Sequence, residues 1–302
     1  MIGVTGVTGH LGGQVAQLLR ADGVPFAMLA RRPDSVADPV PDVRHCVYGD
    51  PESALMSLTG VTTLLMVSAS ESPTRVEEHR ALIDAAAGAG VEHIVYTSFA
   101  GAAPDAVFTL ARDHYATEEH LRSAGPAYTI LRDNLYLDFL VTLPGPDGVI
   151  RAPAGDGRVA AIARRDVARV ATRILTDPAP HRNSVYELTG PEALSFDTLA
   201  EILSRARGEL ITFRDESIEE AYAYRRKWAA PQWQYDAWVS TYTAIAAGQM
   251  SSVSGDVERI SGGLAVSLDK MIAASDSCRG RACEVVRLCR TSRAHLSKTD
   301  VP

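Results

Sequence analysis

The chain lacks any long run of hydrophobic residues, although 46% of its 302 residues are hydrophobic. A helix that spans a membrane needs about 18 or more consecutive apolar residues, and no segment approaches that length. An excess of positive charge is also missing, because the formal net charge is −7. This balance argues against nucleic acid or an anionic membrane surface as a partner. A strand-like segment that starts at Ile2 leaves no room for a signal peptide, so we expect a cytoplasmic globular protein.

Cysteine is scarce as well. Cys46 falls in a strand-like segment, which predicts an inert buried thiol. Cys278, Cys283 and Cys289 lie near the C-terminus at spacings that match no standard zinc pattern, even with His295 as a further ligand. We therefore expect no metal site.

Glycine, in contrast, is concentrated at the start of the chain. The segment IGVTGVTGHLG places Gly6, Gly9 and Gly12 between a strand-like Ile2–Thr5 and an amphipathic, helix-like His10–Ala21. A turn without side chains lets a diphosphate rest on the N–H groups of a helix N-terminus. The spacing is GxxGxxG rather than the usual GxGxxG, so a glycine-rich turn without a ligand stays the alternative. The segment predicts a dinucleotide cofactor.

The residues after the second strand-like segment, 25–30, indicate which dinucleotide is bound. An NAD site usually offers an acid there for the ribose 2′-hydroxyl, whereas this chain has Arg31 and Arg32. A guanidinium can bind a phosphate through two N–H groups. We therefore expect NADPH to be preferred over NADH, with Arg31 on the 2′-phosphate. The alternative is that both arginines are solvated surface charges.

Strand-like and helix-like segments alternate over the first 190 residues. The strand-like segments are 2–5, 25–30, 43–48, 63–67, 92–97, 127–132 and 185–188, and the helix-like ones are 10–21, 51–58, 73–89, 112–124 and 165–175. This alternation predicts an α/β fold, a Rossmann-type doubly wound parallel sheet with ligands at the carboxyl ends of its strands. Small hydroxyl residues at those ends, such as Ser68 and Ser98, suit a sugar or an amide, although they also form plain turns.

The pattern also suggests how the chain is divided. We expect an NAD(P)-binding domain over 1–190, in which the loop-rich insertion 133–158 contributes to the substrate lobe, and a smaller, mostly helical lobe over 191–273. Helix-like segments in this lobe are 195–207, 217–228 and 234–247. The lobe carries seven aromatic residues that fit a core better than ligand contacts, namely Tyr222, Tyr224, Trp228, Trp233, Tyr235, Trp238 and Tyr242. Residues 274–302 have few periodic apolar positions and are predicted to be a disordered tail outside the core.

Several motifs occur in a fixed order: TGVTGHLG, ARRP, VYTSFAG, TEEHLRSAGPAYTILRDNLY, RRDVA and VYELTGPEALSFDTLAEIL. In this order the chain resembles the NmrA-like atypical short-chain dehydrogenase/reductase family, above all its NAD(P)H:quinone oxidoreductase and triphenylmethane reductase members. The resemblance covers roughly residues 1–273. It implies a Rossmann domain and a small lobe with NADP(H) in the cleft between them.

The resemblance also implies roles for individual residues. The cofactor would be held by Gly6, Thr8, Gly9, His10, Leu11 and Gly12 at the diphosphate, Arg31 at the 2′-phosphate, Asp50 near the adenine, and Ser68, Ser98 and Phe99 along the ribose and nicotinamide. Asn134 and Tyr136 would lie at the mouth of the substrate site. The family's reductases tend to have a glycine and an aromatic residue after the TILR-Asn stretch, where this chain has RDNLYLD. The shape of its substrate pocket is therefore expected to differ.

Lysine is the residue whose scarcity limits the chemistry most. A typical short-chain dehydrogenase uses a tyrosine acid with a lysine four positions later, but Lys227, Lys270 and Lys298 are the chain's lysines and none has that spacing. The fourth residue after Tyr115 is Glu119, and a carboxylate there would raise the pKa of the phenol. This argues against alcohol dehydrogenation or sugar epimerisation by the usual route. Quinones and cationic dyes need less acid assistance and remain open as hydride acceptors.

Three residues are candidates for catalysis. His114 could deliver a proton, because imidazole titrates near neutral pH, and the alternative is a helix-surface histidine bound to a neighbour. Tyr136 could orient a quinone carbonyl, with core packing as its alternative, and Asn134 lies beside it. Two functions follow: an NADPH-dependent reductase of quinones or similar flat acceptors, or a redox sensor that binds NADP(H) without turnover and acts through a protein partner. Whether the chain forms a homodimer stays open.

Overall fold

The computed structural model describes residues 1–36 and 42–279 and is centred on a seven-stranded parallel sheet. Its strands are β1 Ile2–Thr5, β2 Phe26–Ala30, β3 Val43–His45, β4 Thr63–Met66, β5 His93–Phe99, β6 Ala127–Asp133 and β9 Ser184–Leu188. They are arranged in the order β3-β2-β1-β4-β5-β6-β9. The order reverses between β1 and β4, and ligands of doubly wound sheets bind at this switch point.

Five helices cover the two faces of the sheet. They are α1 His10–Ala21, α2 Pro51–Ser57, α3 Arg75–Gly88, α4 Thr109–Ser123 and α6 Arg164–Thr176. All four residues of β4 are buried, and they alternate between the faces: Leu65 packs with α1 and α6, whereas Leu64 and Met66 pack with α2 and α3. Strands covered on both sides read as continuous apolar runs, which is why this sheet could be recognised.

The second, smaller part of the chain packs over the carboxyl ends of the strands. Its elements are α5 Leu137–Leu140, β7 Val149–Ala152, β8 Arg158–Val159, β10 Leu194–Ser195, α7 Phe196–Arg207, β11 Thr212–Asp215, α8 Ile218–Arg225, α9 Gln232–Ala246 and α11 Leu268–Arg279. Between α9 and α11 the chain forms α10 Asp256–Ser261. The rings of Phe213 and Tyr242 lie 5.3 and 5.8 Å from that of Phe196. Phe99 and Phe108 join the same hydrophobic core, so the lobe is anchored directly at the end of β5.

The Rossmann-type fold and the helical C-terminal region confirm the predicted fold class. The structure adds three details to the predicted organisation. The lobe also contains two small sheets, β7 with β11 and β8 with β10. Helix α10 returns to the first domain, because Val257 and Ile260 are buried with α1 and α6. The boundary at 274 falls inside α11, whose Leu268 is fully buried; residues 280–302 lie outside those described.

Cys46 is buried and free, and burial raises the pKa of its thiol, which confirms the inert buried thiol. The predictions on Cys283, Cys289 and His295 fall outside the described residues, and the side chain of Cys278 is likewise not described. In the part of the chain that the structure describes, no helix has the length and hydropathy to cross a membrane. The same residues contain no cluster of acidic, histidine or cysteine side chains that could hold a metal ion.

Candidate cofactor and substrate site

The glycine turn between β1 and α1 has the tight geometry that the sequence predicts. Gly6 adopts a φ of +64°, and its carbonyl accepts a hydrogen bond from Gly9 N–H at 2.9 Å. A Cβ added at Gly12 would lie 2.4 Å from the Gly6 oxygen and 2.5 Å from that of Thr5. Only a glycine at position 12 therefore lets α1 pack this closely against the end of β1.

The start of α1 has the donor set that a diphosphate requires. Gly9 is the N-cap, and no described side chain caps the helix or places an acid in its first turn. The first N–H groups of a helix have no partner within it, and they carry the positive end of the helix dipole. Thr8 and His10 are exposed, whereas the Leu11 side chain turns into the core. The turn therefore fits the diphosphate of NADP(H), with backbone N–H groups as its donors.

Arg31 and Asp50 lie near this turn, beyond the ends of β2 and β3. Arg31 and Arg32 are both exposed. The charge of Arg31 acts on the phenol of Tyr48. The Tyr48 hydroxyl lies 2.7 Å from Val67 O at the end of β4. Because β2 pairs with β1 and Leu29 lies opposite Thr5, Arg31 follows the strand end that lies beside the glycine turn. The Asp50 carboxylate accepts a hydrogen bond from Ser53 N–H at 3.2 Å and caps α2. Asp50 thus has a structural task in addition to the predicted contact with adenine.

The side chains of Ser68, Ser98 and Phe99, which were predicted to contact the ribose and nicotinamide, differ in the direction in which they point. Ser68 is half-buried at the end of β4, and its N–H donates to Thr97 Oγ1 at 2.8 Å. The Ser98 hydroxyl instead points into the protein and donates to Glu118 Oε1 at 2.6 Å. The Phe99 ring packs 4.9 Å from that of Phe108. Because the side chains of Ser98 and Phe99 point into the protein, a cofactor at the end of β5 would contact their backbone.

His114 lies inside the protein and not on the surface of α4. Its Nε2 is 2.9 Å from an Arg75 guanidinium nitrogen, and its Nδ1 is 2.9 Å from the Tyr96 hydroxyl. Because an arginine can only donate, Nε2 accepts and the proton of the ring is on Nδ1. Burial, with Arg75 and His79 nearby, holds the pKa of His114 well below its usual range. The geometry therefore argues against the predicted role of His114 in proton delivery, since the ring is neutral and both nitrogens are engaged.

Asn134 and Tyr136 follow the end of β6. Asn134 is buried; its Nδ2 donates to Met250 O at 3.0 Å, and its Oδ1 accepts from Leu135 N–H at 2.8 Å. Asn134 therefore fixes the strand end against the segment that follows α9. The Tyr136 hydroxyl donates to a carboxylate oxygen of Asp133, and the Arg164 guanidinium lies 4.7 Å above the Tyr136 ring.

Asp133 is a residue to which the sequence patterns assign no role of its own. It is the last residue of β6 and only 5% exposed. Burial raises the pKa of its carboxyl to about 7, against the opposing effects of the Tyr136 hydrogen bond and the positive charges of Arg164 and Arg75. A carboxyl with a pKa near neutrality at the end of a strand is typical of functional sites. The available signal was an acid directly after an apolar strand.

A cavity of about 540 Å³ opens beside the ends of β5, β6 and β9. Its lining is polar and apolar in about equal parts and includes Arg132, Asn134, Glu187, Thr189 and Asp256. The predicted aromatic residues of the lobe do not line it. Trp238 and Tyr242 are buried in the lobe, as expected for core residues.

A family model described as NAD(P)H-binding matches residues 6–178, more than half of the chain. The chain belongs to this NAD(P)H-binding family. The matched region includes the glycine turn and all strands of the main sheet except β1 and β9. NAD(P)H is therefore the cofactor of this protein.

Several relatives of this NAD(P)H-binding protein carry the names of oxidoreductases. It is 36% identical to quinone oxidoreductase 2 of Escherichia coli over 226 residues, 72% of this chain and 78% of the relative. The crystal structure of an Escherichia coli NADPH-dependent quinone oxidoreductase with NADPH has a TM-score of 0.83 at 31% identity and covers 91% of this chain and 99% of that one. Citrobacter triphenylmethane reductase with NADP(H) has a TM-score of 0.82 at 32% identity, with the same coverage. The protein is thus an NmrA-like atypical short-chain NAD(P)H-dependent oxidoreductase.

Proposed function

We propose that this oxidoreductase uses NADPH to reduce a quinone or a similar flat conjugated acceptor, without a Tyr/Lys catalytic pair. The observation that carries the proposal is where the two described lysines lie. Lys227 lies over the rings of Tyr224 and Trp228, 3.4 and 4.2 Å from their centroids, and Lys270 is on the exposed face of α11. Tyr115 on α4 is followed four residues later by the exposed Glu119. This arrangement supports a reaction that needs no strongly acidic phenol.

Two parts of the chain would bind the cofactor at different groups. The N–H groups at the start of α1 would hold the diphosphate, and the exposed guanidinium of Arg31 would bind the 2′-phosphate, which favours NADPH. When bound, NADPH supplies a hydride from its nicotinamide. Ser68 and the backbone at the end of β5 would position that end of the cofactor.

The acceptor would lie beyond the end of β6. Tyr136 supplies a hydroxyl that can orient a carbonyl oxygen, and Asn134 holds this strand end in place through its hydrogen bond to Met250 O. His114 would act as a positioning residue, because it joins Arg75 to Tyr96 beneath the site. Positioning of two flat reactants accounts for much of the catalysis when the acceptor is itself reactive. The likeness to an Escherichia coli quinone oxidoreductase supports a quinone as the acceptor.

The proposal is tested with two measurements on the purified chain. NADPH absorbance is followed with a panel of small quinones, and NADP⁺ affinity is measured by the change in tryptophan fluorescence. Oxidation of NADPH that saturates with quinone supports the reductase. Tight NADP⁺ binding without oxidation of NADPH by any quinone or dye would contradict it and would favour the redox sensor that acts through a protein partner.

A further inference from the structure

The carboxyl of Asp133 and the hydroxyl of Tyr136 form a hydrogen-bonded pair at the end of β6. The two residues differ in exposure: Asp133 is 5% exposed, whereas Tyr136 is only half-buried. The phenol is therefore the outer member of the pair and the carboxyl the inner one. The proposed function uses the phenol to orient a carbonyl but leaves the buried carboxyl without a task.

Charged and titratable groups from several elements surround the pair. They are Arg164 of α6, with its guanidinium over the Tyr136 ring, Asp138 of α5, Arg75 of α3, and Tyr96 of β5. None of them accepts a hydrogen bond from the Tyr136 hydroxyl among the described residues. The Asp138 carboxylate instead accepts from Arg164 N–H at 2.9 Å. Asp133 is thus the group that exchanges a hydrogen bond directly with the phenol.

We propose that Asp133, through the hydroxyl of Tyr136, supplies the proton that accompanies the hydride when a quinone is reduced. This inference rests on the proposed function. It assigns a catalytic task to Asp133, for which the sequence patterns predict none. It also identifies which acceptors need the pair, because a quinone needs a proton and a cationic dye does not.

The transfer balances without any further reactant. Reduction of a quinone to a hydroquinone takes up two electrons and two hydrogen nuclei. The hydride brings both electrons and one nucleus. When the Asp133 carboxyl is protonated, it donates the hydrogen bond to the phenol oxygen, and the Tyr136 hydrogen is then free to point at the quinone. The second nucleus leaves Tyr136 as its O–H bond breaks and a new O–H bond forms on the quinone oxygen, while the Asp133 carboxyl gives its proton to the phenol oxygen. Tyr136 is then neutral again, Asp133 is a carboxylate, and solvent returns one proton to Asp133.

The structure shows why Tyr136 needs this partner. Burial and the neighbouring carboxylate of Asp133 raise the pKa of the phenol well above its ordinary value, so release of a proton to leave a tyrosinate is disfavoured. A concerted shift from Asp133 avoids the tyrosinate. Burial places the pKa of the Asp133 carboxyl near 7, so at neutral pH a large fraction carries the proton that the transfer needs.

The test compares two acceptors in one protein. A cationic triphenylmethane dye takes up hydride alone, whereas a quinone takes up hydride and a proton. We expect Asp133→Asn to slow quinone reduction by roughly 10–100-fold, within the range of a general acid, and to leave dye reduction close to wild type. Tyr136→Phe should slow quinone reduction at least as much, because it removes the group that passes the proton on. Asp138→Asn is the matched control, since it removes an equal charge near Tyr136 but keeps an oxygen for Arg164 N–H.

A second readout does not depend on turnover. In the free protein, ¹³C NMR of labelled aspartate carboxyls should show one resonance that titrates near pH 7 and is missing in Asp133→Asn. Its midpoint should move upward in Tyr136→Phe, because the phenol hydrogen bond stabilises the ionised carboxyl. The quinone rate of the wild type should fall above pH 7 by about tenfold per unit, and the dye rate should not.

The outcomes separate the relay from the proposed function. An equal loss on quinone and dye in Asp133→Asn, with an active wild type, would overturn the relay alone. So would an Asp133 resonance that titrates in the ordinary acidic range. A wild-type protein that oxidises NADPH with neither acceptor would overturn both the proposed function and the relay.

Discussion

The imidazole Nε2 of His79 accepts a hydrogen bond from the backbone N–H of Ala69 at 2.8 Å. Arg75 Nε donates to the carbonyl of the same residue at 2.9 Å, so α3 holds Ala69 at both its backbone polar groups. Because Nε2 accepts, Nδ1 carries the ring proton and donates it to Thr117 Oγ1, 2.9 Å away on α4. The loop after β4, which leads from Ser68 along the cofactor cleft, is thus fixed by a neutral histidine.

This contact makes the fold sensitive to acid. Burial and the charge of Arg75 lower the pKa of His79 to about 3, whereas in the unfolded chain it titrates near 6.5. The neutral His79 therefore makes its full contribution to the free energy of unfolding above pH 6.5. As the pH falls below 6.5, this contribution decreases by about 1.4 kcal/mol per pH unit. Urea unfolding from pH 7 to pH 4.5 should show a smaller loss of stability in His79→Gln than in the wild type. An unchanged pH dependence of stability in His79→Gln would contradict this role of His79.

Substitutions at two glycines of the turn should distinguish an effect on folding from an effect on cofactor binding. Gly12→Ala would place a Cβ 2.4 Å from the Gly6 oxygen, so we expect it to lower the free energy of unfolding by about 1–3 kcal/mol. Gly9 has a φ of −94°, which any residue adopts, and its Cβ would be 3.3 Å from the same oxygen. Gly9→Val should therefore keep the fold and lose NADPH binding, because its side chain covers the helix N-terminus. Thermal unfolding and cofactor titration of both variants check this, and unchanged NADPH affinity in a folded Gly9→Val protein would place the cofactor elsewhere.

The preference for NADPH should depend on Arg31. A charge-assisted contact to the 2′-phosphate is worth about 1.5–3 kcal/mol, which corresponds to at least roughly a tenfold tighter binding of NADPH than NADH. Arg31→Ala should remove most of this preference, whereas Arg32→Ala should keep most of it. The dissociation constants of both cofactors for the three proteins decide the matter. Equal affinity of the wild type for NADPH and NADH would exclude this role of Arg31.

Helix α11 should contribute to stability, although position 274, where the tail was predicted to begin, lies within it. Leu268 is fully buried in the lobe core, and Met271 and Ile272 pack against that core. Leu268→Ala should therefore lower the free energy of unfolding by about 2–5 kcal/mol. Lys270→Ala, at the exposed face of the same helix, should change it by less than about 0.5 kcal/mol. Similar values for the two variants would show that α11 does not pack as described.

The main sheet could be predicted because its strands are apolar runs between glycine- and proline-containing turns. Segments 2–5 and 10–21 were predicted with the bounds that β1 and α1 have. The small strands could not be recognised in the same way. β8 and β10 have two residues each, and β7 pairs with β11 across a long stretch of sequence, so neither pair forms a periodic pattern of its own.

The candidate site could be predicted only where the backbone determines it. The spacing of Gly6, Gly9 and Gly12 indicates a tight turn whatever the rest of the chain does. The state of His114 instead depends on Arg75, 39 positions earlier in the chain. The pKa of Asp133 likewise depends on burial and on Arg164 of a later helix. Contacts of this kind arise from tertiary packing, which a sequence pattern does not record.

Direct transfer of hydride to a flat acceptor can be followed with NADPH that carries deuterium at C4 of the nicotinamide and a cationic triphenylmethane dye. Hydride delivered to the central carbon of the dye forms a C–H bond that does not exchange with water, so the label stays where it is placed. We predict deuterium at that carbon in the colourless product when one of the two C4 positions is labelled, and none when the other is. A colourless product without deuterium from either labelled NADPH, or no product despite tight NADP⁺ binding, would contradict direct hydride transfer by this protein.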